Sequence, residues 1–165
     1  SRNRYNSSGK LRSSPRTFPA VLVGIAWVFN VANGYVNGWR LFRAAPYAAQ
    51  WLRDPRFLGG LALFAAGFAA HVWSDATLRA LRRPGETGYR VPRGGLFELV
   101  SAPNYLGEMV QWIGWAIATW SFAGLSFAFF TVANLLPRAL SHHAWYRATF
   151  PDYPAARKAV IPLLL

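Results

Sequence analysis

The sequence predicts an all-α protein, a polytopic membrane bundle of about four transmembrane helices. Hydrophobic residues make up 53% of the 165 residues and charged residues only 15%, which is too apolar for an ordinary soluble domain. Residues 18–39 and 109–137 carry no charge, and His71 is the one titratable residue in 57–74. Each stretch is long enough to cross a bilayer, and 109–137 is long enough to need two helices.

The basic residues fit membrane topology better than nucleic-acid binding. The formal net charge is +12, but the lysines and arginines lie in loops beside apolar stretches and do not line one exposed helix. With four spans, only four of the 18 lie on the less basic side: Arg40, Arg43, Arg53 and Arg56. By the positive-inside rule the richer side is cytoplasmic, and no nucleic-acid partner is expected.

The chain contains no cysteine, which excludes disulfides, thiolate metal ligands and cysteine nucleophiles. No metal site is predicted. Residues 1–17 are polar and basic and are interpreted as a flexible lead-in or the edge of a fragment. Residues 18–165 are interpreted as one membrane domain.

The first helix is predicted to start near Pro19, since proline is tolerated in a first turn, and to end near Phe42. Asn30, Asn33 and Asn37 recur at i, i+3 and i+7, which places a polar stripe on one face of an apolar helix. The stripe either makes interhelical hydrogen bonds or faces a ligand cavity.

The second helix is predicted from about Phe57 to about Arg82, after a connecting loop at 45–56. Asp75, Arg79 and Arg82 form one stripe of alternating charge where this helix leaves the membrane. The stripe is either a solvated, salt-bridged helix end or a ligand site. In the second interpretation Arg82 and Arg83 meet phosphate and Asp75 contacts a ribose or adenine.

A structured loop is predicted from Pro84 to Pro103, because turn-forming Pro and Gly residues punctuate it. It carries Arg90 and Arg93. Neither a Gly-x-Gly-x-x-Gly motif after a strand nor a Walker motif is present in the sequence. Any nucleotide would therefore be held by arginines and helix ends.

Asn104 is predicted to cap the third helix, because its side chain can accept a hydrogen bond from a first-turn amide. Glu108 follows one turn later, close to the positive end of the helix dipole. A capping role explains Asn104 on its own. It does not explain Glu108, since an unpaired carboxylate opening an uncharged span costs several kcal/mol.

The fourth helix is predicted over about 125–150, after a break at 121–124. Pro137 is expected to kink it by removing a backbone donor. Beyond the kink, Arg138, His142 and Tyr146 fall at i, i+4 and i+8, and we call these three residues the α4 strip. The α4 strip is interpreted as an anion- and ribose-binding surface, with a snorkelling interface belt as the alternative. His143 is expected to face solvent or lipid headgroups.

Several segments together resemble the C-terminal domain of the steroid 5-alpha-reductase family. The similarity extends from about Phe18 to the C-terminus and is far more specific than any one segment. The segments are Asn33-Gly34, His71-Val-Trp-Ser-Asp75, Leu81-Arg-Arg-Pro-Gly-Glu86, Tyr89-Arg-Val-Pro-Arg-Gly-Gly-Leu-Phe97, Asn104-Tyr-Leu-Gly-Glu108, Ala116-Ile-Ala-Thr-Trp120, Arg138-Ala-Leu-Ser-His-His143 and Asp152-Tyr-Pro-Ala-Ala-Arg-Lys-Ala159.

The resemblance implies the C-terminal part of a roughly seven-helix membrane reductase that binds NADPH. Such an enzyme reduces the 4,5 double bond of a 3-oxo-4-ene steroid by hydride addition at C5 and protonation at C4. Glu108 is implied as the catalytic residue, close to the nicotinamide and the substrate. The implied cofactor-binding and cavity-lining residues are Asn33, Asp75, Arg82, Tyr89, Arg90, Asn104, Arg138, His142 and Tyr146.

The chain also departs from the family pattern. Full family members have about three more membrane helices before this part, and those helices supply the acidic and tyrosine residues that grip the steroid carbonyl. Tyr5 is out of register with the family tyrosine and does not inherit that role. The resemblance further implies a monomer among membrane lipids, in a bacterial inner membrane or an endoplasmic-reticulum-type membrane, with its cofactor loops cytoplasmic.

Other functions stay open from the sequence. A membrane sterol reductase, an enoyl-thioester reductase or a methyltransferase would share similar Asn-Tyr-x-Gly-Glu and Arg-x-x-x-His patterns, although the segments ending at Phe97 and Trp120 favour the steroid branch. A non-enzymatic module that binds anionic lipid headgroups would explain the arginines. It would not explain Glu108 beside Asn104, and it predicts no saturable NADPH binding.

Overall fold

The long apolar stretches form α-helices in the computed structural model, which describes residues 20–44, 47–81 and 89–165. The four α-helices are α1 (Ala20–Trp39), α2 (Pro55–Ala80), α3 (Pro103–Thr119) and α4 (Phe122–Thr149). Shorter helical turns occupy Arg40–Ala44, Ala49–Arg53 and Gly95–Glu98. Within the described ranges, extended pairing is limited to one parallel bridge between Val100 and Lys158. The prediction of an all-α protein is confirmed.

Three of these helices are long and apolar enough to span a membrane: Ala20–Arg43, Pro55–Ala80 and Phe122–Thr149. The fourth, α3, has 17 residues, or about 25 Å at 1.5 Å per residue. The bundle is therefore of the polytopic membrane type that the composition predicted.

The chain divides into two units, Ser1–Tyr35 and Val36–Leu165. The described part of the first unit, residues 20–35, is the first part of α1 and contains no charged residue. Asn30 there donates from Nδ2 to the carbonyl of Ala26 over 2.8 Å, which keeps that polar group satisfied within its own helix. The second unit contains the rest of α1 and the other three helices.

Several predictions fall outside the described residues. These are the basic lead-in at 1–17, the start of the first helix at Pro19, Arg82 at the end of the second helix, and the first part of the loop that follows it. The remainder of that loop is described from residue 89. It is irregular except for the turn Gly95–Glu98, which agrees with the predicted loop.

Local capping chemistry sets the boundaries of α2 and α4. Asp54 caps α2 by accepting from the amide of Arg56 at 2.8 Å, and Pro55 fills the first helical position, two residues before the predicted start. Trp120 takes a left-handed conformation at φ 43° after α3, and Ser121 caps α4 by accepting from the amide of Gly124 at 3.1 Å. The predicted break is present, but it lies at residues 120–121, because α4 already begins at Phe122, three residues before the predicted start.

The prediction that Asn104 caps α3 is wrong. Pro103 occupies the first helical position, so the cap is Ala102, which makes no side-chain capping bond. Proline is favoured at that position because its φ is already helical and it has no amide hydrogen to satisfy. Asn104 therefore lies inside the first turn, where its amide side chain is available for another partner.

Glycines allow α2 and α3 to pack backbone against backbone. A methyl group on Gly60 or Gly67 of α2 would overlap the α3 backbone, and one on Gly107 or Gly114 of α3 would overlap α2. In each helix the two glycines are seven residues apart, so they lie on one face. Gly60 meets Gly114 while Gly67 meets Gly107, which makes the helices antiparallel. Small residues are the usual means of close helix contact in membranes.

The core on the other side of α3 combines α4 with the C-terminal segment, residues 150–165. Met109 of α3 packs with Leu135 and Ala139 of α4 and with Val160. The C-terminal segment also pairs with the backbone just before α3: the amide of Ser101 donates to Lys158 over 2.8 Å. This backbone pairing holds the residues that lead into α3 against a segment that lies outside the four α-helices.

At its far end, α3 is held by aromatic donors. Tyr47 donates to the carbonyl of Thr119, and Trp51 donates to that of Ala118 over 3.0 Å. These bonds satisfy carbonyls that a helix leaves unpaired at its C-terminus. Trp115 donates to the side-chain oxygen of Asn37 over 3.2 Å, so at Asn37 the polar stripe of α1 serves interhelical hydrogen bonding.

Candidate functional site

The end of α2 and the start of α3 share a cluster of polar side chains. Asn104 donates from Nδ2 to Oδ1 of Asp75 over 3.3 Å. His71 Nδ1 lies 3.2 Å from the backbone oxygen of Asn104, and its Nε2 lies 3.8 Å from Oδ2 of Asp75. A carbonyl oxygen can only accept, so His71 carries a proton on Nδ1. All three side chains are half-buried.

The glycine contacts explain why this cluster forms. Gly107 lies against the backbone of His71, and any larger residue there would push the helices apart. Asp75 follows His71 by one helical turn, so both side chains lie on the same face of α2. The close approach thereby brings a carboxylate and an imidazole of α2 to the first turn of α3.

Glu108 lies one turn after Asn104 on α3 and is half-buried. Residues four apart in a helix share a face, so its carboxylate is on the Asn104 side of α3. The amide of Asn104 and the carboxylate of Glu108, which the sequence singled out, therefore share one face of α3.

The α4 strip begins beside the first turn of α3. The His142 ring centroid lies 5.7 Å from that of Tyr105, the residue after Asn104. Arg138 and His142 are exposed, whereas Tyr146 is half-buried. The start of α3 is thus flanked by the α2 cluster on one side and by the α4 strip on the other.

The irregular segment that carries Tyr89 and Arg90 lies at the C-terminal part of the strip. Tyr89 is 67% exposed, and its ring centroid is 5.0 Å from that of Trp145. Trp145 in turn lies 5.1 Å from Tyr146. The same segment contacts α2 through Phe97 and Trp73, whose rings are 5.9 Å apart. Arg90 is exposed.

Two of the predicted site residues, Asn33 and Arg82, are described separately from the others. Direct contacts connect Asp75 to Asn104, His142 to Tyr105, and both Tyr89 and Tyr146 to Trp145. Asn33 is half-buried on the part of α1 that lies in the first unit, and Arg82 lies outside the described residues.

Positive charge collects at the end of the bundle that contains this site. The antiparallel packing brings the end of α2, the start of α3 and the end of α4 to one level. Exposed arginines at this level come from several elements: Arg79, Arg90, Arg93, Arg138 and Arg147. With the Asp75 carboxylate, the Asn104 amide and several aromatic faces, this set of groups suits a polyanionic ligand that also carries hydroxyl groups.

Sequence reasoning missed His71, Tyr105 and Trp145 as site residues. Only His71 left a signal, since it precedes Asp75 by one helical turn. The expectation that His143 faces solvent or headgroups is wrong: it is half-buried, with Nδ1 2.6 Å from Oγ of Ser101. Helical periodicity correctly placed His143 off the α4 strip. It could not show that Ser101, from the segment before α3, lies beside His143, because periodicity describes only one helix.

Comparison with known proteins identifies the relatives of this chain. The family model described as 3-oxo-5-alpha-steroid 4-dehydrogenase matches residues 16–165. The 3-oxo-5-alpha-steroid 4-dehydrogenase 1 of Rattus norvegicus is 51% identical over 149 residues, covering 89% of this chain and 58% of the relative. That of Homo sapiens is 47% identical, covering 90% and 58%. The type 2 protein of Rattus norvegicus is 48% identical, covering 90% and 59%. The chain therefore spans somewhat more than half the length of these relatives.

Proposed function

The chain belongs to the 3-oxo-5-alpha-steroid 4-dehydrogenase family, and we propose that it forms the cofactor-binding part of an NADPH-dependent reductase of 3-oxo-4-ene steroids. One observation carries the proposal: Asp75, Asn104 and His142 come from three helices yet lie around the first turn of α3. They are also at the arginine-rich end of the bundle. A pyridine dinucleotide needs this combination of fixed cations and hydroxyl-binding groups.

NADPH, when bound, supplies the hydride that adds to C5 of the steroid while a proton adds to C4. The residues of this chain fit that cofactor. Arg138 is an exposed guanidinium and pairs with phosphate, for which its fork of donors is suited. Asp75 and Asn104 bind ribose hydroxyls or the carboxamide, because they offer both an acceptor and a donor. His142 and Tyr146 complete the surface from α4.

Glu108 holds the reacting groups in position. It lies one turn further along α3 than Asn104, away from the arginines and towards the apolar part of the helix. Its oxygens accept hydrogen bonds from the bound cofactor or substrate, and this fixes the geometry of transfer. A group held within hydrogen-bond reach in a site that excludes water contributes more to catalysis than the same group does in solution.

The cofactor side of the bundle faces the cytoplasm. The arginines at the site are on the side that the positive-inside rule assigns to that compartment. The apolar surfaces of the three long helices contact lipid, which gives an apolar substrate such as a steroid a route from the bilayer.

The first test is a titration of NADPH into the protein in lipid nanodiscs, comparing Arg138→Ala with Arg53→Ala. Arg53 is also exposed but lies at the opposite end of the bundle, so it controls for the loss of one positive charge. We expect Arg138→Ala to weaken binding by about tenfold, as for the loss of a charge-assisted hydrogen bond. Helix content should be unchanged by circular dichroism. Equal affinity in the two variants would remove the α4 strip from the site.

The second test is turnover. The protein is incubated with NADPH and a 3-oxo-4-ene steroid in lipid, and the 5-alpha-reduced product is measured by mass spectrometry. A module that only binds anionic headgroups would show no saturable NADPH binding, and a methyltransferase would not oxidise NADPH. The absence of saturable NADPH binding, or methyl transfer in place of NADPH oxidation, would overturn the proposed function.

A further inference from the structure

The hydroxyl of Ser101 is surrounded by three polar partners. Oγ lies 2.6 Å from Nδ1 of His143, 2.6 Å from the hydroxyl of Tyr153 and 3.0 Å from the backbone oxygen of Lys158. Ser101 itself is only 5% exposed. We call Ser101, His143 and Tyr153 the Ser101 cluster.

The hydrogen-bonding capacity of a hydroxyl fixes the direction of these bonds. A serine has one proton to donate and two lone pairs to accept with. The backbone oxygen of Lys158 can only accept, so Ser101 donates to it. Ser101 then accepts from the hydroxyl of Tyr153 and from Nδ1–H of His143. Every group is satisfied in this arrangement, as buried polar groups must be.

This arrangement rules out a serine nucleophile activated by histidine. A general base must receive the hydroxyl proton, but here that proton points at Lys158 and His143 is itself a donor. Ser101 is also too buried to meet a substrate. The role of the Ser101 cluster is therefore structural: it holds the elements around it in place.

Each member of the Ser101 cluster is joined to a residue of the candidate site. Ser101 precedes Asn104 by three residues, at the entry to α3. His143 is the neighbour of His142 on α4. The ring of Tyr153 stacks on that of Tyr146, with centroids 5.4 Å apart and planes within 13°. The buried guanidinium of Arg157 lies 5.1 Å from the centroid on Tyr153.

We propose that the Ser101 cluster is a positioning device that sets the α4 strip in register with the first turn of α3, and so determines NADPH affinity. The proposal rests on the proposed function. One hydroxyl joins the entry to α3, the C-terminal part of α4 and the C-terminal segment. A shift of any one of them moves His142 and Tyr146 relative to Asn104. The three residues touch no ligand themselves.

The experiment measures KM for NADPH, kcat and thermal unfolding for three variants in the full chain in nanodiscs. Tyr153→Phe removes one hydrogen bond and keeps the stack on Tyr146. His143→Leu removes another, whereas His143→Asn restores a donor where Nδ1 was. The matched control is Tyr47→Phe, which also removes a tyrosine hydrogen bond to the bundle, but at the far end of α3.

We expect Tyr153→Phe and His143→Leu to raise KM for NADPH by about fivefold each, as for the loss of one hydrogen bond to a positioned group. The kcat at saturating NADPH should change by less than about twofold, since cofactor binding and not the chemical step is affected. His143→Asn should recover most of the KM. Tyr47→Phe should lower the unfolding temperature about as much as Tyr153→Phe does, and it should leave KM for NADPH unchanged.

The outcomes separate the two proposals. Wild-type protein that binds no NADPH would overturn the proposed function, and the Ser101 cluster would lose its role with it. Normal wild-type binding with unchanged KM in the variants, or with the same KM change in Tyr47→Phe, would overturn the positioning role alone. If the variants do not fold, the histidine tautomer decides: nitrogen NMR of the wild type should show His143 protonated on Nδ1. A proton on Nε2 alone would contradict the arrangement.

Discussion

Asp75 and Asn104 join α2 to α3 through one amide–carboxylate hydrogen bond of 3.3 Å. The direction of this bond matters, because an amide can donate to a carboxylate but two carboxylates facing each other repel. The sequence identified both residues but assigned Asn104 a capping role. In the structure the Asn104 amide donates to Asp75 on another helix. A substitution can test how much this hydrogen bond contributes to stability.

Asn104→Asp should weaken NADPH binding by about tenfold and lower the unfolding temperature, because it places two carboxylates together. The exchanged pair Asp75→Asn with Asn104→Asp should recover stability, since an amide again faces a carboxylate. Titration of NADPH and thermal unfolding in nanodiscs measure both effects. A double variant no more stable than Asn104→Asp alone would show that the bond between the two side chains contributes nothing.

Glu108→Gln should lower kcat by at least about tenfold with NADPH affinity changed by less than about twofold, because the carboxylate is proposed to act on the reacting groups. Steady-state kinetics with varied NADPH separates the two quantities. Asp54→Asn is the control, since it removes a carboxylate at the opposite end of the bundle, where Asp54 caps α2. A Glu108→Gln enzyme with normal kinetics would exclude Glu108 from the mechanism.

The contact between α2 and α3 depends on residues that have no side chain. Gly60 lies against the backbone of Ala118, while the next residue, Gly59, has nothing within 4 Å of where a methyl group would be. Gly60→Ala must therefore separate the helices, and Gly59→Ala meets no obstacle. These neighbouring glycines provide a comparison in which the chemical change is the same.

We expect Gly60→Ala to destabilise the protein by about 1–3 kcal/mol, the usual range for overpacking. Gly59→Ala should be neutral or stabilising by up to about 1 kcal/mol, because alanine favours the helix. Thermal and chemical unfolding in detergent measure both. Equal stability of the two variants would show that the glycines are not needed for close packing.

The sequence predicted the helices well because their signals are local. Uncharged stretches gave the spans, and the turn-forming residues around 121–124 gave the break before α4. The predicted cap at Asn104 failed because the preceding Pro103 took the first helical position. The glycine contacts and the Ser101 cluster depend on which elements become neighbours. Charge and periodicity along one segment do not contain that information.

At the scale of the whole molecule, the C-terminal segment fastens the loop before α3 to the bundle. Arg157 is only 1% exposed and donates to the carbonyl of Pro92 over 3.1 Å. It also lies 3.5 Å from Oε2 of Glu98, whose other oxygen accepts from the amide of Gly94 over 2.6 Å. The segment thereby holds the loop that leads into the candidate site at Pro92 and at Glu98.

This connection makes the stability of the protein depend on pH. The amide of Gly94, and then the charges of Arg157 and Arg93, hold the pKa of Glu98 below its ordinary value of 4.5. A carboxylate with a lowered pKa in the folded state stabilises that state fully above the unfolded value. The stabilisation is lost as the pH falls through the folded pKa.

Glu98→Gln should therefore lower the unfolding temperature at pH 7 and flatten its decline below about pH 4.5, because the neutral amide has no proton to gain. Tryptophan fluorescence during thermal unfolding from about pH 3 to pH 7 would record both profiles. Asp152→Asn, which removes one exposed carboxylate from the C-terminal segment, controls for net charge. If Glu98→Gln and the wild type decline in parallel as the pH falls, Glu98 does not couple the loop to the C-terminal segment, and the acid sensitivity arises elsewhere.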